Sequence, residues 1–343
     1  MNGIIVRKLA NPEEVKEMYP LSETQKTAVS NQIKALEAIL RGEDNRMILI
    51  IGPCSADNED SVIDYISRLV PVQEKVKDKV LIVPRIYTNK PRTTGDGYKG
   101  MLHQPDPGAK ADLMKGILAT RHLHMRAIEE TGFACADEML YPENYQYLDD
   151  VLAYVAVGAR SVEDQQHRLT ASLISAPTGM KNPTSGDYAV MLNAITAATH
   201  PHTFIYRGWE VDSHGNDYAH AVLRGYTNKH GEAQPNYHFE DLLRLSEMYA
   251  TRQVPYPAAI IDTNHANSDK NPLAQPRIIK EVMYSMRHST EVAKLVKGFM
   301  IESYIVEGRQ EIGGGVYGQS ITDACLGWEK SERLIYDIAE LVP

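Results

Sequence analysis

Four side chains that could bind a metal ion lie far apart in the sequence but in similar surroundings. Cys54, His265 and Glu302 each come soon after a short apolar run, and Asp323 precedes the last helical pattern. Together they offer one thiolate, one imidazole and two carboxylates, which suit manganese, iron, cobalt or zinc better than magnesium or calcium. No local ligand motif joins them, and taken singly each has an ordinary structural interpretation, such as a buried thiol or a helix cap. Their joint occurrence predicts a site for one divalent metal ion.

Seven positively charged side chains form a second group in similar positions. The chain has a net charge of −9, from 36 Lys and Arg against 45 Asp and Glu, so a cluster of cations would be a local inversion of charge. Such a cluster requires an anionic substrate, because buried like charges repel one another strongly. Arginine binds phosphate and carboxylate through a forked pair of hydrogen bonds, whereas lysine acts as a compact charge. The seven residues are Arg85, Lys90, Arg92, Lys99, Arg160, Lys181 and Arg224.

One segment of this second group has the composition of a phosphate-binding loop. Residues 90–94 read Lys-Pro-Arg-Thr-Thr, so two cations and two hydroxyl groups lie close together. Pro91 stiffens the segment. The backbone N–H groups of the other residues can complete a cradle for a phosphate group. A solvated surface charge is the ordinary interpretation of a single lysine, but it explains this combination less well.

The elements that must position these side chains are predicted from the alternation of the sequence. Short runs rich in Ile and Val alternate with longer amphipathic stretches, which is typical of parallel strands joined by helices. Eight such runs predict a (β/α)8 TIM barrel, in which functional residues gather beyond the carboxyl ends of the strands. A doubly wound open sheet is the alternative. A further piece, residues 221–224, is interpreted as an extra β-hairpin in the sixth βα loop. The eight predicted strands are residues 47–51, 80–83, 133–136, 154–157, 173–175, 203–206, 258–261 and 299–301.

The first 45 residues are predicted to form a helical extension, and residues 46–343 the catalytic barrel. Ser22 and Gln25 fit a capping box, apolar residues recur at helical spacing as far as Leu40, and Gly42 follows as a stop. From the pattern alone, this extension is interpreted as a helix that closes the bottom of the barrel.

Composition excludes several classes of protein. An acidic chain without a long basic run is a poor candidate for binding nucleic acid. No apolar stretch approaches the roughly 20 residues that a membrane span needs. The three cysteines are odd in number and far apart, which argues against a disulfide framework and for a reducing compartment. We therefore expect a cytoplasmic enzyme that binds neither nucleic acid nor a membrane.

Five segments, in order along the chain, resemble the type I DAHP synthases. These enzymes condense phosphoenolpyruvate, D-erythrose 4-phosphate and water to 3-deoxy-D-arabino-heptulosonate 7-phosphate and phosphate, the first step of the shikimate pathway. The resemblance extends from about residue 10 to the C-terminus, and the combination of segments is highly specific. The segments are Ile51-Gly52-Pro53-Cys54-Ser55, Lys90-Pro91-Arg92-Thr93-Thr94, Gly158-Ala159-Arg160, His265-Ala266-Asn267-Ser268 and Ser320-Ile321-Thr322-Asp323-Ala324-Cys325.

The resemblance implies a role for each candidate residue. The implied metal ligands are Cys54, His265, Glu302 and Asp323. The implied phosphoenolpyruvate site consists of Arg85, Lys90, Lys99, Ala159, Arg160, Lys181 and Arg224. The implied site for erythrose 4-phosphate consists of Arg92, Thr93 and Asp323. The catalytic groups would be Lys90 as a proton donor or charge stabiliser, His265 beside the metal, and Glu138 to direct the attack of water.

Three other functions are weighed against this one. A sister synthase would use a five-carbon aldose phosphate, but residues 90–94 favour the four-carbon sugar. A non-catalytic effector-binding barrel would be expected to have lost Cys54, Lys90 or His265, and all three are present. A metal-dependent aldolase that does not use phosphoenolpyruvate would leave Arg160, Lys181 and Arg224 without an anion to bind.

The resemblance also bears on assembly and regulation. It implies a homodimer or a homotetramer, in which the N-terminal helix and the hairpin of the sixth βα loop are contacts between subunits. The stretch from residue 204 to residue 224 looks shorter than in familiar members, where this neighbourhood helps to form the pocket of an aromatic amino acid inhibitor. Inhibition by Phe, Tyr or Trp, or by none of them, is therefore left open.

Overall fold

Apolar strands and amphipathic helices alternate along the computed structural model, which describes residues 2–342. Most helices begin at a side-chain cap, as the helix α2 does at Ser22. The helices are α1 (Pro12–Met18), α2 (Glu23–Arg41), α3 (Glu59–Val76), α4 (Leu113–Thr131), α5 (Pro142–Tyr145), α6 (Gln165–Ala171), α7 (Tyr188–Thr199), α8 (Phe239–Ala250), α9 (Gln275–His288), α10 (Thr290–Leu295) and α11 (Trp328–Leu341). The strands are β1 (Met47–Gly52), β2 (Val80–Pro84), β3 (Cys135–Glu138), β4 (Leu152–Val157), β5 (Thr178–Lys181), β6 (Thr203–Tyr206), β7 (Trp209–Asp212), β8 (Ala219–Leu223), β9 (Tyr226–Thr227), β10 (Ala233–Gln234), β11 (Ala259–Asp262), β12 (Val296–Glu302), β13 (Val306–Arg309) and β14 (Gln319–Ser320).

Eight parallel strands form the predicted (β/α)8 barrel, in the order β2-β1-β12-β11-β8-β5-β4-β3. Their side chains are almost all buried, because helices cover the outer face and side chains fill the interior. The barrel closes between β2 and β3 at a narrow seam, where Arg85 bridges Ala136 and the Ile86 N–H donates to the Ala136 carbonyl at 2.9 Å.

Two glutamine side chains replace the strand ladder in the lower part of this seam. Gln73 donates to the Val80 carbonyl at 2.9 Å and accepts from the Ile82 N–H at 2.7 Å. Gln32, on α2, donates to the Ile82 carbonyl at 2.9 Å. The edge of β2 is thereby satisfied without a neighbouring strand, which a buried backbone requires.

Helix α2 lies across the amino-terminal ends of the barrel strands. Its capping box at Ser22 and its left-handed end at Gly42 are as predicted. Besides the contact of Gln32 with β2, Arg41 donates to the Tyr218 hydroxyl at 2.6 Å, just before β8 begins. The helix therefore closes the bottom of the barrel, one of the two interpretations of the N-terminal extension.

Two of the eight predicted strands are wrong. Residues 173–175 form a turn after α6, and the fifth barrel strand is β5, whose sequence Thr-Gly-Met-Lys is too polar for the apolar-run criterion. Residues 203–206 form β6, which pairs with β7 outside the barrel. The sixth barrel strand is β8, so the interpretation of residues 221–224 as a hairpin is also wrong. The five buried residues of β8 distinguish it from β6, where exposed and buried residues alternate.

The sixth βα loop does contain a hairpin, formed by the antiparallel strands β9 and β10. The hairpin of β6 and β7 lies instead in the connection from α7 to β8, at the amino-terminal side of the barrel. It exposes two large apolar side chains, Ile205 and Trp209. Among residues 2–342, none of the helices combines the length and the apolar character that crossing a bilayer requires.

Buried His220 predicts a pH dependence of stability. Its Nδ1 lies 2.8 Å from the Tyr218 carbonyl and its Nε2 lies 2.8 Å from the Tyr154 hydroxyl, an arrangement that fits a neutral ring. Burial lowers the pKa of His220 from 6.5 to about 4. Between these values the unfolded chain binds the extra proton, so the free energy of unfolding falls as the pH falls, by up to about 1.4 kcal/mol per pH unit.

Urea unfolding of the wild type and of His220→Gln at several pH values between 6.5 and 4 measures this effect. The wild type should lose stability more steeply than the variant, since all other titrating groups are shared. Parallel pH profiles would contradict a neutral buried His220.

Candidate functional site

The predicted site residues meet at the carboxyl ends of the barrel strands, around a cavity of about 310 Å³. Of the fourteen residues proposed from the sequence, only Lys99 and Glu302 do not line this cavity, and Glu302 is buried next to Cys54. The twelve that line it are Cys54, Arg85, Lys90, Arg92, Thr93, Glu138, Ala159, Arg160, Lys181, Arg224, His265 and Asp323.

Three of the four candidate metal ligands form one cluster. The Sγ of Cys54 and one carboxylate oxygen each of Glu302 and Asp323 lie within 4.8 Å of one another. The strand register brings the first two together, because β1 pairs with β12 through Gly52 and Glu302. The backbone N–H of Asp323 points to the Cys54 Sγ at 3.4 Å, which fixes the third ligand against the first.

His265, the fourth candidate, lies at the edge of this cluster. Its Nε2 is 3.9 Å from the Glu302 Oε1, and its Nδ1 is 2.8 Å from the Asp262 Oδ2. Burial alone would raise the pKa of Asp262, but contact with His265 and the nearby Lys181 and Arg85 charges hold it well below its usual range. The Asp262 carboxylate lies against the Nδ1 side of the His265 ring, so the Nε2 faces the cluster. The backbone of His265 has a φ of 47°, a left-handed conformation that is uncommon outside glycine.

A positive charge already fits among these donors. The Lys90 ammonium lies 2.8 Å from the Cys54 Sγ and 2.8 Å from the Asp323 Oδ2, and Lys270 donates to the other Asp323 oxygen at 2.9 Å. Burial and the Glu302 carboxylate raise the pKa of the Cys54 thiol to about 11, although Lys90 opposes the shift. The cluster has the ligand types and the close spacing that a borderline divalent ion requires.

Two buried ion pairs form the floor of the cavity. Arg85 donates to the Glu302 Oε1 at 2.9 Å, and its guanidinium group lies 3.7 Å from the centre of the Tyr87 ring. Lys181 donates to the Glu138 Oε2 at 2.8 Å. Burial would raise the pKa of Glu138, but the charge and the hydrogen bond of Lys181 lower it on balance, so the carboxylate is ionised.

Three arginines at the cavity, Arg92, Arg160 and Arg224, form no ion pair with a carboxylate of residues 2–342. Arg160 is exposed at the rim, and Arg224 is half-buried beside it. Burial lowers the pKa of Arg224, the nearby Asp262 charge opposes the shift, and the neighbouring Arg160 charge adds to it. Adjacent cations without an ion-pair partner are costly unless an anionic ligand joins them. The cavity is therefore suited to a small molecule with phosphate or carboxylate groups.

Lys99 differs from the other sequence candidates because its side chain lies outside the cavity. Its backbone carbonyl accepts a hydrogen bond from the Lys90 N–H at 3.1 Å, so the residue supports the loop through its main chain. The side chain of Arg92 is fixed by the same loop, since its Nε donates to the Tyr98 carbonyl at 2.8 Å.

Sequence reasoning missed two residues that flank His265. Asn264 donates to the Glu302 Oε2 at 2.6 Å, and Lys270 contacts Asp323. Both lie in an irregular loop without a periodic pattern, so the sequence gives no direction for their side chains. Their nearness to the candidate ligand His265 is the one signal that pointed to them.

Comparisons with known proteins give consistent matches over almost the whole chain. The model of the DAHP synthetase I family matches residues 20–335. A phospho-2-dehydro-3-deoxyheptonate aldolase of Haemophilus influenzae is 37% identical over 98% of this chain and 92% of its own length. The Phe-sensitive enzyme of that name from Escherichia coli is 35% identical over 98% and 95%, and the tyrosine-inhibited one from Schizosaccharomyces pombe 36% over 96% and 88%.

A solved structure extends the likeness to three dimensions. The phospho-2-dehydro-3-deoxyheptonate aldolase of Francisella tularensis superimposes with a TM-score of 0.92 at 31% sequence identity. The match covers 99% of this chain and 98% of the other, so it includes the N-terminal helices as well as the barrel.

Cobalt(II) binding tests the metal cluster without any assay of turnover. If Cys54 is a ligand, the cobalt-loaded wild type should show a thiolate-to-metal charge-transfer absorption band. Cys54→Ala should lose the band and bind cobalt at least about tenfold more weakly.

Cys135→Ala is the matched control, because Cys135 is also a buried free thiol but lies inside β3. It should keep the band and the affinity of the wild type. A band that survives in Cys54→Ala would exclude Cys54 as a ligand.

Proposed function

The chain belongs to the DAHP synthetase I family, and we propose that the cavity described above condenses phosphoenolpyruvate with D-erythrose 4-phosphate and water. The products are 3-deoxy-D-arabino-heptulosonate 7-phosphate and phosphate. One observation supports this function most directly: a single cavity combines a cluster of metal donors with three arginines that form no ion pair within residues 2–342. The reaction needs both features, because it joins an aldehyde to an anionic enol ester.

Phosphoenolpyruvate is proposed to bind on the side of the cavity formed by β4, β5 and β8. Arg160 and Arg224 follow β4 and β8 and take its anionic groups, together with Lys181 at the end of β5. Arg85 and the backbone of Ala159 complete this subsite. Lys99 is left out of the proposal, because its side chain does not line the cavity.

Erythrose 4-phosphate is proposed to bind on the opposite side. Arg92 and Thr93 lie on the loop after β2 and hold the sugar phosphate, while Asp323 faces the other end of the sugar. Forked hydrogen bonds from arginine and a neighbouring hydroxyl suit a phosphate dianion. This arrangement places the aldehyde next to the metal donors.

The proposed ligands of one divalent ion are Cys54, His265, Glu302 and Asp323. When bound there, the ion supplies Lewis-acid polarisation of the aldehyde carbonyl. Lys90 is within hydrogen-bonding distance of two of these ligands and donates a proton to the aldehyde oxygen as the new carbon–carbon bond forms.

The second half of the reaction is proposed to depend on Glu138. As the enol carbon bonds to the aldehyde, C2 of phosphoenolpyruvate becomes electron-poor and is attacked by water. The ionised Glu138 accepts a proton from this water, and Lys181 keeps the carboxylate charged. The resulting tetrahedral C2 expels phosphate, which takes the remaining hydroxyl proton, and the C2 oxygen becomes the keto group of the product. Gly158 leaves room for this carboxylate, because a Cβ there would lie 2.6 Å from the Glu138 Oε1.

We further propose the organisation around this site. Residues 1–45 form an extension of the barrel of residues 46–343. The exposed Ile205 and Trp209, with the exposed N-terminal residues Ile4 and Val6, are proposed to contact another subunit of a homodimer or homotetramer in the cytoplasm. An aromatic amino acid is the proposed effector, since relatives are named as tyrosine-inhibited and Phe-sensitive.

Consumption of phosphoenolpyruvate tests the reaction. Chelator-treated protein should be inactive with erythrose 4-phosphate, and added Mn²⁺ should restore turnover by at least about 100-fold because the aldehyde is then polarised. Arabinose 5-phosphate in place of erythrose 4-phosphate should give little turnover. Preference for the five-carbon sugar would identify the sister synthase instead, and inactivity of folded, reduced protein with every divalent metal would exclude both.

Regulation and assembly are tested by two separate measurements. Activity is expected to fall when Phe, Tyr or Trp is added singly at millimolar concentration, and no response to any of them would exclude this effector class.

Light scattering should give a mass of two or four chains for the wild type. Trp209→Glu should lower this mass, because a charge in an apolar contact is costly. A monomeric wild type would exclude the proposed contact.

A further inference from the structure

The peptide that carries Arg224 into the cavity is fixed by an unusually complete set of hydrogen bonds. Arg224 and Gly225 follow β8, and both backbone N–H groups and both carbonyls of this pair are bonded to neighbouring loops. Asn182 accepts from the Arg224 N–H at 2.9 Å and donates to the Gly225 carbonyl at 2.9 Å. Asn236 accepts from the Gly225 N–H at 2.7 Å. The Arg224 carbonyl accepts from the Ala266 N–H at 3.1 Å.

The two asparagines form one unit. The Asn236 Nδ2 donates to the Asn182 Oδ1 at 3.1 Å, so each amide holds the other in place. Both side chains are fully buried. Asn182 directly follows Lys181 at the end of β5, whereas Asn236 comes from the far end of the sixth βα loop. The end of the sixth βα loop is thereby bonded back to its own beginning at Gly225, next to the end of β8.

Gly225 makes this close packing possible. Its φ is +70°, and a Cβ there would lie 2.6 Å from the backbone of Ala266 and Asn267. The same turn receives a further bond, because the Asn236 N–H donates to the Asn267 Oδ1 at 2.9 Å. The loops that follow β5 and β8 and the segment after His265 are therefore joined by backbone and amide contacts.

Arg224 itself explains why such a clamp is needed. Within residues 2–342 its hydrogen bonds are made by its backbone, so no protein acceptor fixes the guanidinium group. The nearby Asp262 charge attracts the guanidinium group and Arg160 repels it, but no ion pair fixes its position. Rigid attachment at the backbone is the alternative to a counter-ion.

We propose that Asn182 and Asn236 are positioning residues, which hold Arg224 ready for the anionic groups of phosphoenolpyruvate. The inference rests on the proposed function. Neither amide touches the substrate in this arrangement, and their effect is exerted through the backbone of Arg224 and Gly225. Preorganised cations bind an anion without the cost of ordering the loop at the time of binding.

A purely structural role is the competing explanation, and the chain offers a matched control for it. Asn216 is a buried asparagine at the opposite, amino-terminal end of the same two strands, β5 and β8. Its Nδ2 donates to the Ala176 carbonyl and to the Thr178 hydroxyl, both at 3.1 Å, and its Oδ1 accepts from the Tyr218 N–H at 3.0 Å. Loss of either amide removes a similar network, but only Asn236 is bonded to the Arg224–Gly225 backbone.

The experiment compares Asn236→Ala with Asn216→Ala in the Mn²⁺-loaded protein. Calorimetric titration with phosphoenolpyruvate alone should give a dissociation constant at least about tenfold higher for Asn236→Ala than for the wild type, since the Arg224 loop is no longer ordered. Asn216→Ala should bind within about twofold of the wild type, because its network is remote from the cavity. In steady state, Asn236→Ala should raise the KM for phosphoenolpyruvate and leave the KM for erythrose 4-phosphate unchanged.

The possible outcomes distinguish failure of the proposed function from failure of the positioning role. If the wild type does not bind phosphoenolpyruvate, the proposed function fails. If it binds and both variants bind equally well or equally weakly, the positioning role is overturned while the function stands. Asn236→Asp replaces the alanine variant in this experiment if the latter does not fold. Its carboxylate still accepts from the Gly225 N–H but cannot donate to Asn182. Binding of phosphoenolpyruvate by Asn236→Asp at the affinity of the wild type would also overturn the proposal.

Discussion

Repulsion among positive charges at the mouth of the barrel is the constraint to which the rest of the site is adjusted. Seven cationic side chains line one cavity of a chain whose net charge is −9. Some are neutralised by buried carboxylates, as Arg85 is by Glu302 and Lys181 by Glu138. Arg160 and Arg224 form no ion pair within residues 2–342, and Arg224 is anchored through its backbone. The cavity therefore contains paired cations, which are neutralised within the protein, and unpaired cations, which we propose bind the anionic substrates.

The parallel barrel supplies the precision that this arrangement needs. Neighbouring strands bring Cys54 and Glu302 together through one line of register, and they place Lys181 and Arg224 on adjacent strand ends. Charges that are hundreds of residues apart in sequence are thus set within a few ångströms by hydrogen bonds of the sheet. Buried ion pairs add little net stability in such a place, because desolvation offsets their attraction. Their main contribution is to fix the protonation state and the direction of each group.

Much of this site could be predicted from the sequence, and the failures have physical causes. The positions of Cys54 and His265 after apolar runs were sufficient, because strand ends in a barrel converge whatever the exact strand bounds are. The fifth strand was missed because β5 is short and polar, and its burial comes from neighbours rather than from its own composition. The sixth was confused with a hairpin whose alternating residues look like a strand and form one outside the barrel. Lys99 was predicted to line the cavity and does not, whereas Lys270 lines it and was not predicted. Both lie in irregular loops, which have no periodicity from which the direction of a side chain could be predicted.

The position of Lys90 has a consequence for the order of folding and of the proposed metal binding. An ammonium group already lies between the Cys54 thiol and the Asp323 carboxylate and balances the carboxylate charge. A scaffold of this kind can fold before the proposed ion binds, unlike small zinc domains that stay unfolded until they bind zinc. Binding of the ion would then displace Lys90 from its two partners, so the affinity for the ion is set by the difference between the two sets of contacts.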